Sequence, residues 1–216
     1  MDLGKAFSFP FQTTQWVEKL LLPALITLIP IFGQIFLLGW YLDITRRVIH
    51  RDPDPLPTVD LVRSLTDGLK ALVIDLVYLI PLIVLGVLVV VAARANGAAQ
   101  TNAGSLGFAL LLAFLLILIV LYIIALTVLL PAAWSNFIAK EDISAAFRFN
   151  EVFGLLRKAP SAYLMVFLVA ILTSIIAPLG WVAFAVGAAA TTLYAMAING
   201  YVYGMAYNQA TAQMAQ

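Results

Sequence analysis

The sequence predicts an all-α fold, a polytopic bundle of transmembrane helices that forms one integral membrane domain over residues 1–216. Hydrophobic residues occupy 63% of the 216 positions and charged residues only 11%, whereas soluble domains carry about 25% charged residues. Residues 107–133 contain no charge, and a spanning helix needs only about 20 apolar residues. After Lys158 the chain has no Lys, Arg, Asp or Glu. We therefore expect several membrane crossings.

Two segments have the pattern of helices that lie in the headgroup region. The first is KAFSFPFQTTQWVEK near the N-terminus, and the second is ISAAFRFNEVFGLLRK before the last third of the chain. Both mix aromatic residues with charged or polar ones, which is typical of interfacial amphipathic helices. The alternative is that they are only the juxtamembrane ends of the next helices.

The first apolar run, LIPIFGQIFLLGW, can be read in two ways. As a single pass, residues 20–42 would form about 34 Å of helix, long enough to cross a bilayer, and would leave the N-terminus outside. As a short or re-entrant hairpin, residues 16–29 and 34–48 would form two helices around a turn that contains Pro30 and Gly33. The hairpin places 11 of the 12 basic residues on one side, against nine for the single pass, and is favoured by the positive-inside rule.

The basic residues form two groups that we expect to face the cytoplasm. One group lies between residues 46 and 70 and the other between 140 and 158, while the connection 96–105 has no charge. This pattern predicts a helix at 69–94 that runs outward and one at 106–133 that returns.

The chargeless C-terminal third is too long for one helix. Pro178 and Gly180 are expected to form a turn, because proline interrupts helical hydrogen bonding and glycine accepts turn conformations. Helices at 162–176 and 181–206 follow, so that about six apolar segments are predicted and the C-terminus returns to the cytoplasm. A weak internal repeat, 6–49 and 146–206, is suggested by AFSF and AFRF, each followed by a helix, a Pro near a Gly, and another helix.

Several of these segments resemble a known family. FSFPF, QWVEKL, LIPIFG, LLGWYLDITRRVI and DGLKAL, in this order, are similar to the prokaryotic membrane family called domain of unknown function 4013. Membership would imply a multi-helix membrane protein of prokaryotic origin. It implies no activity, substrate or catalytic residue.

Three polar residues inside apolar segments are candidates for a function. Asp75 is the first, because ionisable groups in a membrane are costly and often functional; the alternative is a shallow, hydrated position near Lys70. Gln34 lies in the predicted turn and could expose a polar group at the bilayer midplane. Asn199 precedes Gly200-x-x-x-Gly204, a spacing that favours close helix packing with an amide hydrogen bond across the contact.

The helix end LDITRRVIHR carries a second kind of candidate. Asp43 precedes Arg46 and Arg47 by three and four positions, the spacing of a helical ion pair. Arg46, Arg47 and Arg51 could also form a lipid-facing basic patch on the cytoplasmic side.

Composition excludes or disfavours several functional classes. The chain has no Cys and one His, so no cofactor, metal site or catalytic residue is expected, and we predict that it is not an enzyme. Its net charge of +1 argues against a nucleic-acid partner. We expect a multi-pass protein of the prokaryotic plasma membrane with both termini cytoplasmic. Its function would be that of a membrane subunit or scaffold, with the bilayer, itself or a membrane complex as partner; the alternative is a channel or transporter of ions or small solutes.

Overall fold

The computed structural model describes residues 3–12, 15–99, 102–180 and 184–214, and within these ranges it contains helices and loops but no β-strand. The predicted all-α class is confirmed. The chain divides into two compact units, one formed by the residues up to Ile74 and from Val128 onward, the other by Asp75–Thr127. The helices are α1 Leu3–Ser8, α2 Trp16–Thr27, α3 Phe32–Ile49, α4 Leu61–Ala99, α5 Asn102–Lys140, α6 Phe149–Lys158, α7 Pro160–Leu179 and α8 Phe184–Met214, with 3₁₀ turns at Phe9–Phe11 and Ile143–Phe147.

Helices α3 and α8 form the centre of the first unit. Trp40 on α3 and Ile198 on α8 are completely buried. The two backbones approach closely because Gly204 has no side chain: an added Cβ would lie 2.8 Å from the carbonyl oxygen of Thr45. The Thr45 hydroxyl donates a hydrogen bond to the Gly200 carbonyl at 3.0 Å. The GxxxG segment therefore lies in the α3–α8 contact, as such motifs commonly do.

Residues 16–49 turn back on themselves between α2 and α3. The turn occupies residues 28–31, and Ile31 adopts a positive φ of 64°. Lys19 at the start of α2 forms an ion pair with Asp54 beyond the end of α3, so the two open ends of the hairpin lie together. Pro30 is in the turn, whereas Gly33 lies in the first turn of α3, where it packs against the backbone of Thr27.

Helices α7 and α8 form the second helical pair of this unit. The Thr191 hydroxyl donates a hydrogen bond to the Ala177 carbonyl at 2.7 Å. Pro178 belongs to the last turn of α7, and Gly180 follows that helix directly. Trp181, where we expected the final helix to begin, lies outside the described residues.

The second unit contains the parts of α4 and α5 between Asp75 and Thr127. The Tyr122 hydroxyl of α5 donates a hydrogen bond to the Tyr78 carbonyl of α4 at 2.6 Å. Most large apolar side chains here are exposed, Leu110 by 64% and Val91 by 58%.

Three helices in the described residues are long and apolar enough to cross a membrane: Leu61–Ala95, Leu106–Lys140 and Pro160–Leu179. This is fewer than the six predicted segments. Helix α2 has only 12 residues, and α3 carries three charges among its 18. Helix α8 is rich in Ala, Thr, Tyr and Gly, which are less apolar than the Leu and Val of α4 and α5.

The long helices also extend further than their apolar cores suggested. Helix α4 begins at Leu61 instead of residue 69, and α5 ends at Lys140 instead of residue 133 although it contains Pro131. The polar ends of these two helices pack in the first unit. They stay helical because tertiary contacts stabilise a helix whose own sequence favours it only weakly. Most of the predicted connection 96–105 is helical as well; residues 100 and 101 are outside the described part.

Candidate functional site

The densest group of polar side chains lies between α3 and α4 in the first unit. Arg46 of α3 is 8% exposed and lies between two carboxylates. Its Nη1 is 3.1 Å from Oδ1 of Asp43, and its Nη2 is 2.7 Å from Oδ2 of Asp67 on α4. Asp43 and Asp67 are themselves buried. We call these three residues the ionic cluster.

Further charged residues surround the ionic cluster. Arg47 Nε lies 3.4 Å from Asp43 Oδ2, which together with the Arg46 pair confirms the ion pairs predicted from helical spacing. Arg63 Nε lies 3.9 Å from Asp43 Oδ1, and Arg63 Nη2 is equally far from Glu141 beyond the end of α5. These charged residues line a cavity of about 340 Å³, and the single histidine, His50, lines it with them.

Small residues bring the two carboxylates to one arginine. Gly39 lies one helical turn before Asp43, and an added Cβ there would come within 2.7 Å of the Ser64 Cα on α4. Gly68, next to Asp67, faces the backbone of Ile35 on α3 in the same way. The glycines allow α3 and α4 to approach until short aspartate side chains reach Arg46.

Electrostatics stabilises the charged form of Arg46. Burial alone would lower the pKa of this guanidinium, but the hydrogen bonds and negative charges of Asp67 and Asp43 outweigh burial and raise the pKa. Its Nε donates no hydrogen bond to any described protein atom, and the Oε1 of Glu141 lies 3.9 Å away. A buried cation between two carboxylates holds helices in place; this arrangement includes no nucleophile beside a base.

A second polar junction connects the end of α5 to α6. The Asn136 amide donates hydrogen bonds to the Ala145 carbonyl at 2.8 Å and to Glu151 Oε2 at 2.9 Å. Lys140 Nζ lies 2.6 Å from the same carboxylate oxygen. Hydrogen bonds from Lys140 and Asn136 lower the pKa of Glu151.

The three candidate residues of the apolar segments lie apart from the ionic cluster. Asp75 is half-buried in the second unit. Gln34 lies in the first turn of α3, not in the preceding turn where we expected it, and lines a cavity of about 330 Å³ with Thr192. Asn199 accepts a hydrogen bond from the Thr173 hydroxyl at 3.2 Å.

The predicted basic patch divides in the structure. Arg46 was expected to face lipid, but it is buried because Asp43 and Asp67 pair with it. Arg47 is also paired, with Asp43 and with Asp52. Arg51, with a positive φ of 58°, lines a separate pocket.

Sequence reasoning missed Asp67, Arg63 and Glu141. Arg63 and Asp67 lie in the polar first turns of α4, and Glu141 directly follows α5. Charged residues are common beside an apolar segment, and the sequence there does not indicate their partners. The sequence feature that could have indicated this contact is the pair Gly39 and Gly68. A glycine close to a carboxylate on each of two neighbouring helices indicates a tight polar contact. Among the described residues, no three His, Asp or Glu side chains are grouped as a metal ion requires.

Comparison with known proteins agrees with the resemblance seen in the sequence. The family described as "Protein of unknown function (DUF4013)" matches residues 22–186, more than half of the chain. The predicted resemblance is therefore confirmed. No curated protein and no solved structure matches the chain.

Proposed function

We propose that this chain, which belongs to the family of proteins of unknown function DUF4013, is a non-enzymatic subunit or scaffold of the prokaryotic plasma membrane. In this proposal it is a multi-pass protein that binds transmembrane helices of a second copy or of another membrane protein. The ionic cluster keeps α3 and α4 in a fixed arrangement. The second unit supplies the binding surface.

The exposed apolar surface of the second unit carries the proposal. Only 6% of the most apolar 18-residue stretch of α4 is buried, and only 11% of the corresponding stretch of α5. Exposed side chains of α5, such as Leu110, Leu111 and Leu116, occupy several faces of the helix. Apolar surface of this extent is covered in a cell by hydrocarbon or by other helices. A subunit that offers two long helices with few internal partners fits an assembly role better than catalysis.

The placement of charge supports the proposed orientation. Arg46 and Arg47 lie at the end of α3, Arg63 near the start of α4, and Lys140 at the end of α5. Basic residues concentrate on the cytoplasmic side of membrane proteins, so this end of the first unit would face the cytoplasm, together with the N-terminus and the C-terminus.

Site-specific photo-crosslinking in native membranes tests the scaffold proposal. Benzoylphenylalanine at positions 110, 111, 116 and 121 of α5 places a reactive group on several faces of the helix, at side chains that are 47% to 64% exposed. We expect a discrete heavier band at the positions of one helix face, from a second copy or a partner. Leu115, which is 6% exposed, is the control and should give no band. If none of the four exposed positions forms an adduct and no protein co-purifies, the scaffold proposal fails.

A second candidate function is a channel or a transporter of ions or small solutes. The observation that favours it is a pair of cavities beside α8 that share Thr192: one of about 330 Å³ with Gln34 and one of about 220 Å³ with Asn199. Polar side chains in such positions could pass a small solute between helices.

Flux measurements separate the two candidates. Transport predicts uptake of an ion or small neutral solute by proteoliposomes, and a loss of most of it in Gln34→Leu/Asn199→Leu. Asp75→Asn tests the remaining charged candidate. Absence of flux above that of empty liposomes would exclude the transport function for the solutes tried, while crosslinking to a partner would be unaffected.

A further inference from the structure

A polar pocket of about 510 Å³ lies beside the C-terminal half of α8, outside the ionic cluster. Lys5, Gln12, Arg51 and Asn208 line it. The Asn208 amide donates a hydrogen bond to the Val48 carbonyl at 2.9 Å, which fixes the pocket at the end of α3. Donor groups thus surround a space large enough for a phosphate ester.

The charge of the pocket favours an anion. Lys5 and Arg51 bring two positive charges, and Asp52 is the acidic residue of the lining. Asp52 is engaged elsewhere: its Oδ2 lies 3.6 Å from Arg47 Nη1, and its Oδ1 accepts the backbone N–H of Asp54. Within the described part of the chain, no carboxylate forms an ion pair with Arg51.

An apolar groove lies further up the same helix. It has a volume of about 360 Å³ and is lined by Trp16, Leu20 and Leu21 on the α2 side and by Ala190 and Tyr194 on α8. Among its lining residues, no side chain is charged. Its apolar composition suits an acyl chain.

The N-terminal segment borders both spaces. Phe9 stacks on Tyr201 at 4.7 Å between ring centroids, on the side of the polar pocket. Phe11 contacts Tyr194 at 5.5 Å, on the side of the groove. Tyr194 and Tyr201 are seven residues apart, two helical turns or about 10 Å along α8. That is the scale on which a headgroup phosphate is separated from the upper part of an acyl chain.

We propose that these spaces form one binding site for an anionic phospholipid of the cytoplasmic leaflet. The phosphate lies in the polar pocket between Lys5 and Arg51, and one acyl chain lies in the groove against Trp16 and Ala190. Basic pockets between transmembrane helices on the cytoplasmic side recognise anionic headgroups in this way. The choice of leaflet rests on the proposed orientation, but the site does not depend on the scaffold function, since it involves the first unit only.

Native mass spectrometry of the full chain in mild detergent tests the site. Dioleoyl phosphatidylglycerol should bind and dioleoyl phosphatidylcholine should bind much more weakly. Lys5→Gln/Arg51→Gln should weaken phosphatidylglycerol binding roughly 30-fold, because each basic residue near an anionic headgroup contributes about five-fold. Arg157→Gln/Lys158→Gln, which removes the same charge at the exposed end of α6, is the control and should bind as the unmodified chain does. Equal binding by both double variants would overturn the proposal.

Two further arms identify the source of the phosphate and the role of the groove. Millimolar inorganic phosphate should not displace the lipid; if it does, the pocket serves a soluble phosphate ester and the lipid proposal is wrong. Ala190→Phe fills the groove and should weaken binding of the dioleoyl lipid but not of dihexanoyl phosphatidylglycerol. Ala113→Phe on the exposed face of α5 is the matched control. Unchanged dioleoyl binding in Ala190→Phe would remove the groove from the site.

Discussion

Arg46 shows how one buried charge can determine the contact between two helices. It is held by Asp43 within its own helix and by Asp67 across the α3–α4 contact. Replacing both carboxylates and the arginine together by apolar residues could leave stability unchanged, but removing one partner leaves an uncompensated charge out of water. The stability of the fold is therefore sensitive to single substitutions of Asp43 or Asp67.

We expect Asp67→Asn to destabilise the folded chain by about 3 kcal/mol, the usual cost of breaking a buried ion pair on one side. The measurement is the thermal unfolding midpoint of purified protein in detergent. Arg148→Gln removes exposed ion pairs with Asp142 and Glu151 and should shift the midpoint much less. Similar shifts of the midpoint in the two variants would contradict this account of the ionic cluster.

The Glu151 carboxylate predicts a pH-dependent effect at the α5–α6 junction. Its pKa is lowered in the folded chain by hydrogen bonds from Lys140 and Asn136, so its contribution to stability is present above the ordinary carboxyl pKa and is lost as the pH falls through the lowered value. Glu151→Gln should lower the unfolding midpoint at pH 7, and the difference between the variant and the unmodified chain should shrink as the pH falls below the ordinary carboxyl pKa and through the lowered pKa of Glu151. A difference of the same size across this pH range would refute this assignment.

At the scale of elements, the contact between α3 and α8 depends on the absence of side chains. An added Cβ at Gly204 would lie 2.6 Å from the Val48 Cβ, so the helices would have to separate.

We expect Gly204→Ala to destabilise the fold by about 1–3 kcal/mol, as overpacking of a tight contact usually does. Gly86→Ala on α4 is the control, because nothing lies within 4 Å of its added Cβ and alanine favours a helix. Unfolding midpoints of the two variants give the comparison. A Gly204→Ala protein as stable as Gly86→Ala would show that the close approach is not needed.

Much of the element order followed from the sequence, for physical reasons that differ between elements. Long apolar runs, uncharged in α5 and interrupted only by Asp75 in α4, identified the cores of these two helices, since only hydrocarbon or a large protein interior accommodates them. Pro30 indicated the turn between α2 and α3, because a proline there removes a helical hydrogen bond. The helix ends could not be predicted, because the start of α4 and the end of α5 are polar. They stay helical through contacts with distant segments.

At the scale of the whole molecule, the site was less predictable than the helices. Asp43 and Arg46 share one helix, and their spacing alone predicted the pair. Asp67 is 21 positions from Arg46, and no local pattern indicates that these two side chains meet. The division into two units could not be predicted from the sequence either, because the apolar run of α4 continues across the boundary at Asp75.

Membrane topology provides a prediction for the chain as a whole. The protein has no native Cys, so single cysteines can be labelled without background. In intact cells, an impermeant maleimide should label Gly97→Cys in the predicted outer connection. Gly4→Cys should react only after the cells are permeabilised, because the α2–α3 hairpin leaves the N-terminus on the side of the basic residues. Rapid labelling of Gly4→Cys in intact cells would require a different topology.

The short α2 has a consequence for the bilayer itself. A helix of 12 residues rises about 18 Å, whereas the hydrocarbon core is about 30 Å thick. The tip of the hairpin is apolar, with Ile31 78% exposed, and the N–H groups of Leu28, Ile29 and Gly33 bond to carbonyls within the hairpin. A tip of this kind would end inside hydrocarbon, so the lipids beside α2 would experience hydrophobic mismatch. Local thinning of the membrane, and a preference for shorter acyl chains around this side of the protein, would follow.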